Sequence, residues 1–192
     1  MKNNILKQKD KIINQFKSEF IRELNNINKN MILDFCNLIL KLKKKNKILI
    51  FGNGAGQSIA DHFAVDIKKN CDVECESYQS TNHITCYSND YGFNKWMLKT
   101  IEKRYFKNDL IIFLSASGKS ENINIATKYC LKKKIKFVTI SGFKRNNLIK
   151  ERGLINFWFK TDAFNIIESL QNYLLLMIVD LLKGKIFYSN KI

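Results

Sequence analysis

The chain has 192 residues, and 33 lysines and arginines against 17 aspartates and glutamates give it a formal charge of +16. That length fits one domain, and 45% hydrophobic with 12% aromatic residues excludes a disordered chain. Five cysteines, an odd number with only Cys71 and Cys75 close together, make a poor zinc signature, so free thiols are expected.

The opening residues, Met1 to Lys7, lack the apolar core of a signal peptide. The apolar runs read as too short and interrupted to cross a bilayer, which takes about 20 residues, so a cytoplasmic protein is expected. Ile5, Ile12, Ile13, Phe16, Phe20 and Leu24 form a helical stripe. A second stripe begins with Ile32, Phe35, Leu38, Ile39 and Leu42 after a soft break at 25–28. No glycine precedes Gly52, which suits a helical extension over 1–45. From 46 to 192 the pattern predicts an α/β core belonging to the same single domain.

In that core, strands are predicted at 48–51, 73–76, 110–114, 137–141 and 155–159. Helical spacing lies between them at 58–69, 93–106, 122–133 and 145–152. Continuous apolar strands alternating with helices indicate an α/β fold with a buried parallel sheet. A closing helix at 164–182 is apolar around most of its circumference, which places it in the core or at a subunit interface. An apolar surface that large, together with the first helix, predicts a homo-oligomer, most simply a tetramer.

The charge has a plain reading. Lysine dominates and only four arginines occur, Arg22, Arg104, Arg145 and Arg152, whereas base recognition favours the arginine fork. The runs 41–47 and 132–136 directly precede strands, where solvated helix ends are expected. Neither a nucleic-acid nor a membrane partner is expected from this pattern.

In open α/β sheets ligands sit beyond the carboxyl ends of the strands. The third strand runs into Ser115-Ala116-Ser117-Gly118-Lys119-Ser120, three hydroxyls around a glycine at a strand-to-helix junction. Such a segment makes an anion cradle from hydroxyls and helix N–H groups, or else an ordinary turn with a serine cap. The first strand runs into Gly52-Asn53-Gly54-Ala55-Gly56, half of a dinucleotide fingerprint, with Gln57 where the last glycine would stand and Glu76 ending the second strand. His62 and Asp66, four apart on one helix face, suit proton transfer, metal ligation or a simple surface pair.

Gly52-Asn53-Gly54, His62-Phe63-Ala64, Asn89-Asp90-Tyr91-Gly92-Phe93 and Ser115-Ala116-Ser117-Gly118-Lys119-Ser120 occur in the order seen in SIS (sugar isomerase) domains. The chain resembles the phosphoheptose isomerase branch of that family along most of its length. The resemblance implies a flavodoxin-like three-layer sandwich with a five-stranded parallel sheet, two leading helices and a long closing helix, assembled as a homotetramer. It implies sugar-phosphate binding by Ser115, Ala116, Ser117 and Ser120, with Asn53, Gly54 and Gln171 at the sugar. The implied reaction is the aldose–ketose isomerisation of sedoheptulose 7-phosphate for surface-polysaccharide heptose.

The chain departs from the family where the chemistry occurs. Asp66 stands where a glutamate base is usual, and Gly56 replaces a serine. Glu168-Ser169 occupies the Gln-Glu position, with Gln171 one turn further, and the family histidine aligns with Leu176. Asp66 is the candidate base, with His62 or Glu168 as partner. Some relatives hold zinc at these helices. Here the candidates His62, Asp66, Glu168 and Gln171 supply three ligands at most where a closed site needs about four, so no required cofactor and no tight zinc are expected. The alternative is a non-catalytic SIS module binding a phosphosugar or a protein, like replication-initiator-binding relatives.

Overall fold

The computed structural model describes residues 2–187, so the expected domain limits at 1 and 192 lie outside the described residues. Helix α1 (Lys2–Asn25) is followed by α2 (Lys29–Leu40), and Asn28 caps the second helix by accepting from the Asn30 and Met31 amides at 2.9 and 3.4 Å. The soft break is therefore a helix cap. The remaining elements are β1 (Ile48–Phe51), α3 (Ala55–Cys71), β2 (Cys75–Ser77), α4 (Thr81–Tyr91), α5 (Trp96–Arg104), β3 (Leu110–Ser115), α6 (Glu121–Lys133), β4 (Phe137–Ser141), β5 (Ile155–Trp158) and α7 (Phe164–Lys183).

All five strands are parallel, in the order β2-β1-β3-β4-β5. This is the flavodoxin-like order, whose switch point lies between β1 and β3. Strand periodicity divides the core in two. Ile48, Ile50, Leu110, Ile112, Val138 and Ile140 face α2, α3 and α7, while Leu49, Phe51, Ile111, Phe113 and Phe137 face α5 and α6. Phe35, Cys36 and Ile39 of α2 are buried in the first layer, so this leading helix is part of the core.

Four expectations need correction. Residues 145–152 form turns and bends, not a helix. Phe143, just before this segment, and Asn146 within it adopt positive φ (63° and 57°), and the Leu148 amide donates to the Gly118 carbonyl at 3.0 Å. The segment expected as one helix at 93–106 is helical only over Trp96–Arg104, and α4 before it had no predicted counterpart; Gly92, at φ 87°, separates the two. Strand β2 pairs from Cys75 rather than 73. Finally, α7 is long and apolar enough to cross a membrane by length and composition alone. It is nevertheless a core helix, burying Ile166, Ile167, Leu170, Gln171, Leu174, Leu175, Ile178 and Val179.

Candidate active site

The loops after β1, β3 and β4 meet at the carboxyl edge of the sheet. After β3, the buried Ser115 hydroxyl accepts from the Gly118 amide at 3.0 Å and lies 3.4 Å from the Ser120 hydroxyl. Ser117 accepts from the Lys119 amide at 3.2 Å. Gly118 has φ +65°, and a Cβ there would sit 2.0 Å from Oδ1 of Asn147. The segment is thus a tight cup closed by its own hydroxyls and leading into the N-terminus of α6, a geometry suited to an anion. Lys119 turns its ammonium toward Phe143, 5.5 Å from the ring centre.

Two asparagines that the sequence reading did not single out hold this cup in place. Asn122, on the first turn of α6, exchanges hydrogen bonds with Asn53 of the β1 loop at 3.0 and 2.9 Å, which fastens the two ligand loops together. Asn147 donates from Nδ2 to the Ser141 hydroxyl at 2.9 Å and to the Gly142 carbonyl, and its Oδ1 accepts from the Ile149 amide at 3.0 Å. The adjacent Asn146-Asn147 pair is a turn signal that could have revealed it. Gly142 completes the junction: its amide donates to the Ala116 carbonyl at 3.0 Å, and a Cβ there would meet Ile167 of α7 at 2.2 Å. The start of α7 is therefore packed directly on the anion loop.

Beside that junction, α3 and α7 enclose an open cleft of 490 Å³ lined by Ser58, Ile59 and His62 from one helix and Asn165, Glu168, Ser169 and Asn172 from the other. Of the three candidate catalytic residues, His62 and Glu168 line this cleft together. Asp66 stands one turn farther along α3, behind His62, with Oδ2 3.3 Å from the imidazole Nε2. Its position suits orienting the ring, because it does not itself line the cleft. The arrangement puts one carboxylate and one carboxylate-oriented imidazole on facing walls, a set able to take a proton from carbon and to move one at oxygen.

Gln171 does not join them. It is fully buried, with Nε2 donating to the Ile140 carbonyl at 2.8 Å and Oε1 without a hydrogen-bond partner among the described residues. Leu176 also faces elsewhere, lining a 600 Å³ apolar cavity with Tyr173, Met177 and Leu181. Among the described residues, no three His, Cys, Asp or Glu side chains cluster to hold a metal. Gln171, one of the four candidate ligands, is turned into the sheet and away from His62 and Glu168.

Glu76 is likewise committed away from any nucleotide. Lys47 binds it at 2.8 Å, Arg104 at 3.3 Å, and the Tyr78 hydroxyl donates to it. Burial pushes the Glu76 carboxyl up, but these bonds and cations outweigh it and hold the group below the usual carboxylate range. Burial and the bond to Glu76 raise the Tyr78 phenol. Next to them, His83 stacks on Tyr87 at 4.2 Å and bonds Thr100 Oγ1 at 2.7 Å; burial, then Arg104, lowers its imidazole.

No protein-family model matches the chain. A phosphoheptose isomerase of Helicobacter pylori (strain Shi470) is 32% identical over 111 residues, 55% of this chain and 58% of the relative. One from Buchnera aphidicola subsp. Schizaphis graminum is 30% identical over 125 residues, 62% of each chain. The matched stretch thus spans less than two thirds of these relatives. Across the fold the likeness is fuller. The structure of a phosphoheptose isomerase from Francisella tularensis superposes with a TM-score of 0.82 at 20% identity, covering 94% of this chain and 98% of that one. The phosphoheptose isomerase from Neisseria gonorrhoeae gives 0.80 at 20% identity, covering 91% and 99%. The chain has their fold, with the five-stranded parallel sheet and flanking helices expected from the sequence.

Proposed function

We propose that this protein is a phosphosugar isomerase that interconverts an aldose phosphate and its ketose, with sedoheptulose 7-phosphate as the substrate. The observation that carries the proposal is the cleft shared by His62 and Glu168 beside an anion loop built from Ser115, Ser117 and Ser120. The serine loop and the first turn of α6 bind the phosphate, and Asn53, held by Asn122, borders the sugar. Glu168 removes the proton from the carbon next to the carbonyl, giving an enediol, and returns it to the neighbouring carbon. His62, oriented by Asp66, moves the proton between the two oxygens. This differs from the sequence-based expectation in moving the base from Asp66 to Glu168. A placed general base contributes about 10²–10⁴-fold, so the pair supports turnover without the histidine that relatives carry on the closing helix. The enzyme acts in the cytoplasm as a homotetramer and supplies heptose for surface polysaccharide.

The test is a coupled assay with sedoheptulose 7-phosphate, read alongside a thermal shift by the same compound. Glu168→Gln is expected to lower kcat at least about 100-fold while the thermal shift persists. Full turnover in Glu168→Gln puts the base elsewhere. A thermal shift with no turnover in the wild-type protein makes the chain a binding module instead.

A further inference from the structure

The parallel sheet gathers several lysine-rich segments at one edge. Every strand begins at the edge opposite the anion loop, so the segments leading into the strands are gathered there. Two of them, 41–47 before β1 and 131–136 before β4, contain nine lysines and no acidic residue. Between β1 and β4 lies β3, whose leading segment adds Lys103 and Lys107. Adjacent strands are about 5 Å apart, so these segments form one continuous rim. A lysine or two near a helix C-terminus complements the helix dipole; five within 41–47 exceed that need. Lys41, Lys43, Lys44, Lys45, Lys103, Lys107, Lys132, Lys134 and Lys136 are exposed and make no ion pair among the described residues.

The same rim also carries large apolar side chains in the open. Leu40 is 67% exposed, Phe106 66% and Leu131 49%, each next to lysines in the chain. Phe106 stands at the middle strand, with the Lys47 ammonium 5.6 Å from its ring centre. Lysines ringing protruding apolar tips match the boundary between headgroups and acyl chains of an acidic bilayer, where the charges meet phosphates and the tips enter the apolar layer. A nucleic acid would satisfy the lysines but leave Leu40 and Leu131 without a partner. The one arginine of the β3 segment, Arg104, is already tied to Glu76.

We propose that this rim docks the protein peripherally on an anionic lipid surface, with the anion loop and cleft facing away from the bilayer. Read along the chain, these lysines are solvated helix ends; the fold is what collects them with Leu40, Phe106 and Leu131.

The experiment is co-sedimentation of the full chain with vesicles of two parts phosphatidylcholine to one part phosphatidylglycerol, with pure phosphatidylcholine vesicles and a short DNA duplex as comparisons. Binding to the mixed vesicles alone, weakening as salt is raised, is expected. Replacing Lys43, Lys44 and Lys45 by glutamate should weaken the partition by more than about tenfold, and Phe106→Ser should weaken it several-fold with the charge unchanged. A circular-dichroism melt checks each variant, and Lys132→Gln with Lys133→Gln serves if the first set fails to fold. Equal binding to neutral vesicles, no binding to acidic ones, or folded lysine variants that bind as the wild type would overturn the proposal. So would duplex binding at the same protein concentration with no effect of Phe106→Ser.

Discussion

The side-chain amides of Asn53 and Asn122 bond each other reciprocally, at 3.0 and 2.9 Å, across 69 residues of sequence. Asn122 is almost fully buried, so its amide depends on that one partner and on the Ile123 amide that its oxygen accepts. Asn53→Ala is expected to cost about 1–3 kcal/mol, since a buried amide loses its acceptor. Urea melts of Asn53→Ala, Asn122→Ala and the double variant check this. The double variant should cost less than the sum by at least about 0.5 kcal/mol.

Gly118 and Gly54 both have positive φ, +65° and +54°, but only Gly118 faces an obstacle, since a Cβ added to it would lie 2.0 Å from Oδ1 of Asn147. Alanine at position 54, where ψ is −123° and outside the left-handed helical well, should cost about 1–3 kcal/mol from backbone strain alone. Gly118→Ala should cost more, about 2–4 kcal/mol, because the clash adds to strain of about 1–3 kcal/mol. Chemical denaturation of the two variants side by side gives the order, and equal costs would contradict the contact with Asn147.

Ser115 and Ser117 separate folding from ligand binding. The Ser117 hydroxyl is partly exposed and, among the described residues, accepts only from the nearby Lys119 amide, so Ser117→Ala should melt within about 2 °C of the wild type. It should nonetheless lose most of the thermal shift given by a sugar phosphate. Ser115→Ala removes a buried acceptor of the Gly118 amide and should lower stability itself, by about 1–2 kcal/mol.

His83 gives the fold a pH dependence near neutrality. Burial, reinforced by Arg104, lowers its imidazole below the ordinary value of 6.5, so the native state binds fewer protons than the unfolded chain. Stability from this group is full above pH 6.5 and falls as acid approaches and passes the lowered value. The melting temperature should drop as the pH falls below 6.5, and the drop should shrink in His83→Gln. Glu76, held low by Lys47, Tyr78 and Arg104, adds its own loss only below pH 4.5.

The sheet was legible because β1 and most of β3 are continuous apolar runs, and β1 and β4, each preceded by a lysine and followed by a glycine, fall at their expected limits. The short edge strand β2 slipped by two residues, since Val73 has the composition of a strand but no neighbour to pair with. The serine loop was legible as a local feature, being contiguous in sequence. The roles of Asn122 and Gln171 were not, because each depends on a partner set by tertiary packing: Asn53 and the Ile140 carbonyl. The same holds for Asp66, whose spacing puts it on the face of His62 but whose distance along α3 leaves it behind the cleft.

The two walls of the cleft, His62 on α3 and Glu168 on α7, are more than a hundred residues apart in the chain. During synthesis the sheet can begin to pair long before α7 leaves the ribosome, yet until then one wall is missing and the apolar face of α3 is uncovered. A polypeptide cut short between residue 121 and the start of α7 would keep the whole serine loop and have no opposing carboxylate. The serine loop and the completed cleft therefore arise at different moments in the life of a single chain.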